Sequence, residues 1–247
     1  ELDWPEHVKT LQRNWIGKSI GTEVKFHTKS NPIEVFTTRI DTIFGVTAVV
    51  LAPEHSLVGQ LTTSAHRAAV EAYLEAAKEK SELERQQYGV EQPKTGVFTG
   101  SYALHPLTHQ EIPIWVADYV LNNYGFGAVM LVPSHDPRDH QFAVSHQLPE
   151  LNVLQNKNGE EVLVNSGKFT GLSSTEAIEK INLALANKGL GKLATHYRLR
   201  DWLVSRQRYW GAPIPVVYDA EGNINVLSEE DLPLELPTDI EFKNGEN

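Results

Sequence analysis

The chain contains no cysteine, which excludes disulfide bonds, thiolate metal ligands and a cysteine nucleophile. Any zinc site would have to consist of histidine and carboxylate ligands. The chain also lacks a run of about eighteen apolar residues that could cross a bilayer, and no basic and then apolar leader opens it. We therefore expect a soluble protein with no membrane partner. Cysteine usage alone does not distinguish an oxidising from a reducing compartment.

Methionine is almost as scarce, since Met130 is the only one and the chain begins at Glu1. We interpret the chain as a segment of a longer protein. Its 247 residues, 40% of them apolar, are enough to bury a substantial core. This size predicts one large domain, or one domain with extensions.

The charge is unevenly distributed along the chain. The formal net charge is −10, and from residue 219 onward nine acids stand against one base, which leaves −2 for residues 1–218. Such a balance does not exclude a nucleic-acid partner where basic residues cluster. Four arginines do so, at Arg198, Arg200, Arg206 and Arg208.

Apolar patterning predicts strands that alternate with helices. Residues 33–36, 46–51, 111–120 and 128–132 are typical of strands, and residues 64–87 of an amphipathic helix. We predict another helix over residues 135–147, capped by Ser134, and one that starts with the capping box Ser173–Glu176. This order favours a mixed α/β barrel-like or α+β domain over a sandwich.

The stretch F-T-T-R-I-D-T-I-F-G, residues 36–45, concentrates polar side chains between two apolar segments. Threonine is a common strand residue, so the three threonines are compatible with an ordinary solvent-facing strand. Arg39 and Asp41 are less expected there, and Thr42 directly precedes the apolar Ile43 and Phe44. A hydroxyl at the mouth of an apolar pocket could discriminate side-chain size. The spacing alone does not decide between the two roles.

A second polar cluster is S-H-D-P-R-D, residues 134–139. Asp136 and Asp139 are three apart and would share one face of a helix. The positive end of the helix dipole would keep both carboxylates ionised, which suits an ammonium ligand. Aspartate at a helix start is also ordinary capping, and taken alone the pair favours that structural role.

Other catalytic patterns are missing. The chain contains no G-x-S-x-G, H-E-x-x-H or Walker sequence, and Y-G-F-G at 124–127 lacks the rest of a dinucleotide fingerprint. His105 and His109 are four apart, but Pro106 disfavours the helix that would bring them together. We predict no metal site.

Taken together, five segments carry a resemblance to one family. They are W-P-E-H-V-K-T-L-Q-R-N-W-I-G-K-S at 4–19, T-T-R-I-D-T at 37–42, Y-G-F-G-A-V-M at 124–130, H-D-P-R-D at 135–139 and R-D-W-L-V-S-R-Q-R-Y-W-G-A-P-I-P at 200–215. The chain resembles the editing domain of a bacterial or organellar leucyl-tRNA synthetase from about Leu2 to Tyr218. The resemblance implies a mixed barrel-like α/β sheet surrounded by helices, with strand-like linkers at both ends. It divides the chain into an outgoing linker (1–18), the editing domain (19–195), and a return linker with an acidic connector (196–247).

The resemblance also implies an activity, hydrolysis of the ester between a wrong amino acid and the terminal adenosine of tRNA(Leu). Isoleucine, methionine and norvaline would be removed and leucine excluded. A second site is needed because an apolar pocket separates such side chains by only ~1–3 kcal/mol, too little for accurate translation. The partners would be the aminoacylated 3′ end of tRNA(Leu) and the rest of the parent synthetase. H-I-G-H and K-M-S-K-S are absent, so ATP and Mg²⁺ would serve only the parent's synthetic site, and editing would need no cofactor.

Site roles follow from the same resemblance. Thr42 would block the leucine side chain, and Asp139 would bind the α-ammonium group. Thr37 and Thr38 would hold the ester and the attacking water, so that catalysis rests mainly on positioning. The remaining substrate-binding residues would be Arg39, Asp41, Tyr124, Met130, His135 and Asp136.

Four positions depart from the family pattern, at Ile40, Phe126, Ser134 and Pro137. They affect expectations about pocket detail more than about its purpose. Two other functions remain open, editing by a valyl or isoleucyl enzyme and noncatalytic tRNA binding. We expect the parent protein in the cytoplasm or an organellar matrix.

Overall fold

A computed structural model describes residues 3–80, 85, 94–122, 125–199 and 213–235. Clustering of contacts divides the chain into two units, Glu1–Arg198 and Leu199–Asn247. The first unit holds both large sheets and the helices, and it contains both polar clusters that the sequence singles out. In the described part of the chain, no helix is long and apolar enough to cross a membrane.

The first unit opens with helix α1, Glu6–Ile16. Pro5 precedes it, Gly17 ends it in the left-handed conformation, and the Gly17 N–H donates to the Arg13 carbonyl. The prediction of a strand-like linker at this end is therefore wrong. The reason is local, because a run of helix-compatible residues lies between a proline that starts a helix well and a glycine that ends it well.

The first sheet has three antiparallel strands, β1 (Lys18–Phe26), β2 (Ile33–Thr37) and β9 (Gly191–Tyr197), in the order β2-β1-β9. Thr22 lies opposite Thr37 on one side and Leu193 on the other. Alternate residues of β1 and β2 point into the core, as the complete burial of Val24, Phe26 and Val35 indicates.

The second sheet has four strands, β3 (Ala48–Leu51), β4 (Val97–Leu104), β5 (Glu111–Val116) and β6 (Ala128–Leu131), in the order β4-β5-β3-β6. Strands β3 and β5 are parallel and the other pairs antiparallel. A bridge between His27 and Leu104 connects this sheet to the first. The predicted mixed α/β class is confirmed, and seven of the described strands form these two joined sheets.

Both faces of the second sheet are buried. Alternation along β3 places Val49 and Leu51 in the main core and Ala48 and Val50 in a smaller cluster on the opposite face. The main core also receives helix α5 (Ser174–Asn187) and parts of α2 (Val58–Leu61) and α3 (Arg67–Lys78). The smaller cluster receives helix α4 (Pro137–His146), mainly through the fully buried Phe142.

Two smaller features complete the described residues. The hairpin β7 (Leu154–Lys157) and β8 (Glu160–Leu163) leads toward α5, and Val162 of β8 bridges Ser173, the residue that caps α5. The second unit contains the antiparallel hairpin β10 (Val216–Tyr218) and β11 (Ile224–Val226). Of the four clustered arginines, Arg198 is described and bonds through its backbone N–H to the Ile16 and Gly17 carbonyls (3.1 Å each), while Arg200, Arg206 and Arg208 lie outside the described residues.

Candidate active site

The threonine cluster begins at the last residue of β2 and continues into a 3₁₀ helix, Ile40–Gly45. The Thr37 hydroxyl accepts a hydrogen bond from the Arg39 N–H (3.0 Å). Thr38 is exposed, whereas Thr42 is buried, and both its N–H (3.1 Å) and its hydroxyl (2.8 Å) donate to the Arg39 carbonyl. The proton of the Thr42 hydroxyl is therefore used within the turn, and the methyl group and the acceptor side of the oxygen remain for contact with a ligand.

Asp41 is the most buried charge of this loop, with none of its surface exposed. Its carboxylate accepts from Arg39 Nε (3.1 Å) and Nη2 (2.9 Å), and from the hydroxyl of Ser174 at the start of α5 (2.6 Å). Arg39 also donates to Glu161 of β8 (2.8 Å). The hydrogen bond to Asp41 raises the pKa of Arg39, so the guanidinium stays charged. A charge-assisted network thus connects the loop to α5 through Ser174 and to β8 through Glu161.

The second cluster forms the start of α4, and here Asp136 is the N-cap. Its side chain accepts from the Arg138 N–H (2.8 Å) and pairs with the Arg138 guanidinium (2.9 Å). Burial alone would raise the pKa of Asp136, but the bonds and charge of Arg138 outweigh it and lower the pKa. The prediction of Ser134 as the cap is wrong, because Pro137 suits the first helical position and places the cap one residue before itself.

Asp139 lies one turn into α4 and is only 7% exposed. One carboxylate oxygen accepts from the Val132 N–H (2.8 Å) and the other from the Tyr119 hydroxyl (3.3 Å). Burial raises the pKa of Asp139 to about 7, with the Val132 and Tyr119 bonds and the Arg138 charge acting against it. The expectation was that the helix terminus keeps both aspartates ionised. The pKa of Asp136 is indeed lowered, but chiefly by Arg138, and the pKa of Asp139 is raised by burial instead.

The two polar clusters meet at one end of the β3–β6 pair. These strands are antiparallel, so the 3₁₀ helix that precedes β3 lies beside the segment that follows β6. The Thr47 N–H donates to the Leu131 carbonyl (3.0 Å) at this end. His135 belongs to the second cluster, and its Nε2 accepts from the Val153 N–H (3.1 Å). Burial lowers the pKa of His135, and the charge of Arg39 lowers it further, which places these two residues in electrostatic contact.

Two predicted pocket residues come from the segment around β6. Met130 is 7% exposed and packs in the main core, directly opposite Val49. Tyr124 lies outside the described residues. Phe126, one of the departures from the family pattern, lies against His196 of β9 with ring centroids 5.7 Å apart.

Three residues of the site carry no clear signal in the sequence. Ser174 and Glu161 contact the threonine loop from positions 133 and 122 residues away, and Tyr119 reaches Asp139 across 20 residues. Each sits in an unremarkable local context, so only the fold brings it to the site. In the described part of the chain, no group of three or more histidine, aspartate or glutamate side chains is placed to hold a metal ion.

Comparisons with known proteins agree with this architecture. The family profile "Leucyl-tRNA synthetase, editing domain" matches residues 13–186, and the profile "tRNA synthetases class I (I, L, M and V)" matches residues 175–238. The leucine–tRNA ligase of Clostridium perfringens is 53% identical over 253 residues, which cover 98% of this chain and 31% of that protein. That of Clostridium tetani is 49% identical over 251 residues, 98% of this chain and 30% of that protein.

A solved structure is also similar, the ternary complex of Agrobacterium radiobacter K84 agnB2 LeuRS with tRNA and LeuAMS. It shares 38% identity and a TM-score of 0.71, over 95% of this chain and 27% of that one. The chain thus spans about a third of the length of the curated relatives that it matches.

Proposed function

Because the chain belongs to the leucyl-tRNA synthetase editing-domain family, we propose that it hydrolyses the ester of misacylated tRNA(Leu) and spares leucyl-tRNA(Leu). The wrong amino acids would be isoleucine, methionine and norvaline. Discrimination has to rest on shape, since these side chains differ from leucine by at most about a methylene or a branch, worth ~1–3 kcal/mol in an apolar pocket.

The observation that carries the proposal is the position of Asp139 relative to the threonine loop. One oxygen of this buried carboxylate accepts from the N–H of Val132, the residue that follows β6, and the turn that carries Thr42 precedes the paired start of β3. Among the described residues, the hydrogen-bond donors to this carboxylate are the neutral Val132 N–H and Tyr119 hydroxyl, and an α-ammonium group would supply a positive charge. The amine contact and the size filter would then act on the same amino acid.

In the proposed reaction, water attacks the carbonyl carbon of the ester, and the bond to the ribose oxygen breaks. That oxygen takes up a proton and becomes a free hydroxyl, and the amino acid leaves as the acid. Thr37 accepts a bond from Arg39, so its own hydroxyl proton can be donated to the ester or the water. The exposed Thr38 would provide a second hydroxyl. Catalysis then rests on orientation of water and ester.

We assign the exclusion of leucine to the methyl group of Thr42. Its hydroxyl donates a hydrogen bond to the Arg39 carbonyl. Because a β-branched residue has few rotamers, this bond fixes the side chain. The fixed methyl would collide with the γ-branch of leucine and leave room for the other side chains. Met130, from the adjacent strand, and His135 and Asp136 would complete the substrate-binding surface together with Tyr124.

The relatives support a proposal for the partners. The Agrobacterium enzyme is described in complex with tRNA, and the Clostridium relatives are leucine–tRNA ligases about three times longer than this chain. We therefore propose the aminoacylated end of tRNA(Leu) and the rest of a parent synthetase as partners. Two statements stay predictions: that editing needs no cofactor, and that the parent synthetase is cytoplasmic.

Deacylation of isoleucyl- and leucyl-tRNA(Leu) by the 247-residue chain tests the proposal. We expect release of isoleucine and retention of leucine, with leucine released by Thr42→Ala and isoleucine release abolished in Asp139→Ala. Preference for mischarged tRNA(Val) or tRNA(Ile) would instead favour a valyl or isoleucyl enzyme. Steeply salt-dependent tRNA binding without hydrolysis of any ester would favour a noncatalytic insert.

A further inference from the structure

Asp41 connects the threonine loop to a distant helix. Its carboxylate is fully buried and receives three hydrogen bonds, two from Arg39 and one from the Ser174 hydroxyl (2.6 Å). Loss of one donor to a buried carboxylate costs folding free energy, because bulk water cannot replace the lost hydrogen bond at a buried oxygen. The Ser174 bond is therefore a strong positional constraint on the turn that carries Asp41.

The element that presents Ser174 is rigid. Ser174 is the first residue of α5, and this helix buries Ala177, Ile181 and Leu185 in the main core. The preceding residue, Ser173, caps the helix by accepting from the Glu176 N–H (3.3 Å). The negative charge of Asp41 also lies at the positive end of the helix dipole, which favours the contact. The core contacts of Ala177, Ile181 and Leu185 fix this helix as a reference for the loop.

The same constraint reaches Thr42. Arg39 is bound through its side chain to Asp41 and through its carbonyl to both the N–H and the hydroxyl of Thr42. Ser174, Asp41, Arg39 and Thr42 thus form a continuous chain of hydrogen bonds. Glu161 adds a second contact to Arg39 (2.8 Å), but its side chain is 48% exposed, and a surface ion pair of this kind constrains position weakly.

We propose that Ser174 is a positioning residue for specificity, which holds the 3₁₀ turn so that the Thr42 methyl stands where it excludes leucine. The proposal rests on the function proposed above. A filter built on one methyl group discriminates about 10- to 200-fold, so a displacement of the turn that moves this methyl group would admit leucine. The residue acts through Asp41 and Arg39 and does not contact the substrate.

The experiment compares Ser174→Ala with two matched variants of the same helix start. Ser174→Thr keeps the hydroxyl, and Ser173→Ala removes the cap of α5 without touching Asp41. For each protein we would measure the ratio of leucyl to isoleucyl ester hydrolysis on tRNA(Leu), thermal stability, and amide hydrogen exchange over residues 40–45. The exchange measurement reports on the turn without any reference to activity.

We expect Ser174→Ala to raise the leucyl to isoleucyl ratio about tenfold or more and to speed exchange at Thr42, whose N–H is bonded to the Arg39 carbonyl. Ser174→Thr should retain both wild-type values, and Ser173→Ala should lose stability with an unchanged ratio. Unchanged exchange in Ser174→Ala would show that the Ser174–Asp41 bond does not hold the turn. Faster exchange with a wild-type ratio would overturn its role in specificity. If the wild-type chain hydrolyses neither ester, the proposed function and the specificity role fail. The exchange data would still show whether the Ser174–Asp41 bond holds the turn.

Discussion

Replacing Asp139 with asparagine changes the charge of the buried site with almost no change of shape. Asparagine can accept from the Val132 N–H through its carbonyl oxygen, and its amide group can donate to the Tyr119 hydroxyl, so both existing contacts have a neutral equivalent. The substitution therefore isolates the cost of the ionised carboxylate. We expect it to stabilise the folded chain at alkaline pH and not at acid pH.

The magnitude follows from the pKa. Burial raises the pKa of Asp139 from 3.8 to about 7, and each pKa unit is worth about 1.4 kcal/mol, so full ionisation costs about 4 kcal/mol of folding free energy. Because the folded state holds the proton more tightly than the unfolded state, the contribution of Asp139 to stability falls as pH rises from about 4 to about 7. Between pH 5 and pH 8 the loss amounts to about 2–3 kcal/mol.

The assay is urea denaturation of wild type and Asp139→Asn at pH 5, 6, 7 and 8. The difference in unfolding free energy should move in favour of the variant by about 2–3 kcal/mol over this range. Asp136→Asn is the matched control: Arg138 lowers the pKa of Asp136, so this carboxylate stays ionised throughout and the difference should be flat. A flat difference for Asp139→Asn as well would refute the inference that burial controls this carboxylate.

Four further outcomes are expected. Tyr119→Phe removes a donor to the ionised form of Asp139, so the pH at which Asp139 titrates should rise further, as NMR titration of the carboxyl carbon would show. Thr42→Val keeps a methyl group and should still exclude leucine, whereas Thr42→Ser loses it and should release leucine in the deacylation assay. Gly21→Ala would place a Cβ 2.3 Å from the Thr37 carbonyl oxygen, so it should lower the melting temperature and impair isoleucine release together. EDTA should leave the rate of isoleucine release unchanged, and loss of activity that zinc or magnesium restores would contradict a cofactor-free reaction.

Elements with strong local signals could be predicted from sequence. The apolar runs at 33–36 and 128–132 became β2 and β6 within one residue, and the Ser173 capping box does start a helix. One error arose where the resemblance and the local signals disagreed. Residues 4–19 were predicted to be strand-like from resemblance, while the proline and glycine at its ends favour the helix that forms.

The site could be predicted only in part. The residues of each polar cluster are adjacent in sequence, whereas the residues that hold the clusters in place are distant in sequence. Thr37 to Thr42 are adjacent in sequence, but Ser174 reaches them only through the packing of α5 on the core. The ionisation of Asp139 was predicted wrongly for a quantitative reason. A helix terminus favours a charge by about 0.3–1 kcal/mol, and burial of a carboxylate can shift its pKa by up to about 3–5 units, several times more energy. Burial is a property of the fold, and the sequence motif does not contain it.

Asp41 and Asp139 show how one fold can give two buried aspartates different tasks. Asp41 is bonded twice to a guanidinium and once to a serine, so its charge is already compensated and its role is to hold the loop. Asp139 has two neutral donors and a pKa near neutrality, so ionisation costs energy until a cation arrives. A substrate ammonium would remove that cost, and the energy released would add to binding for any α-amino acid, leucine included. On the function proposed above, selectivity would then come from the steric filter at Thr42, and the residues that hold that turn would decide which ester is hydrolysed.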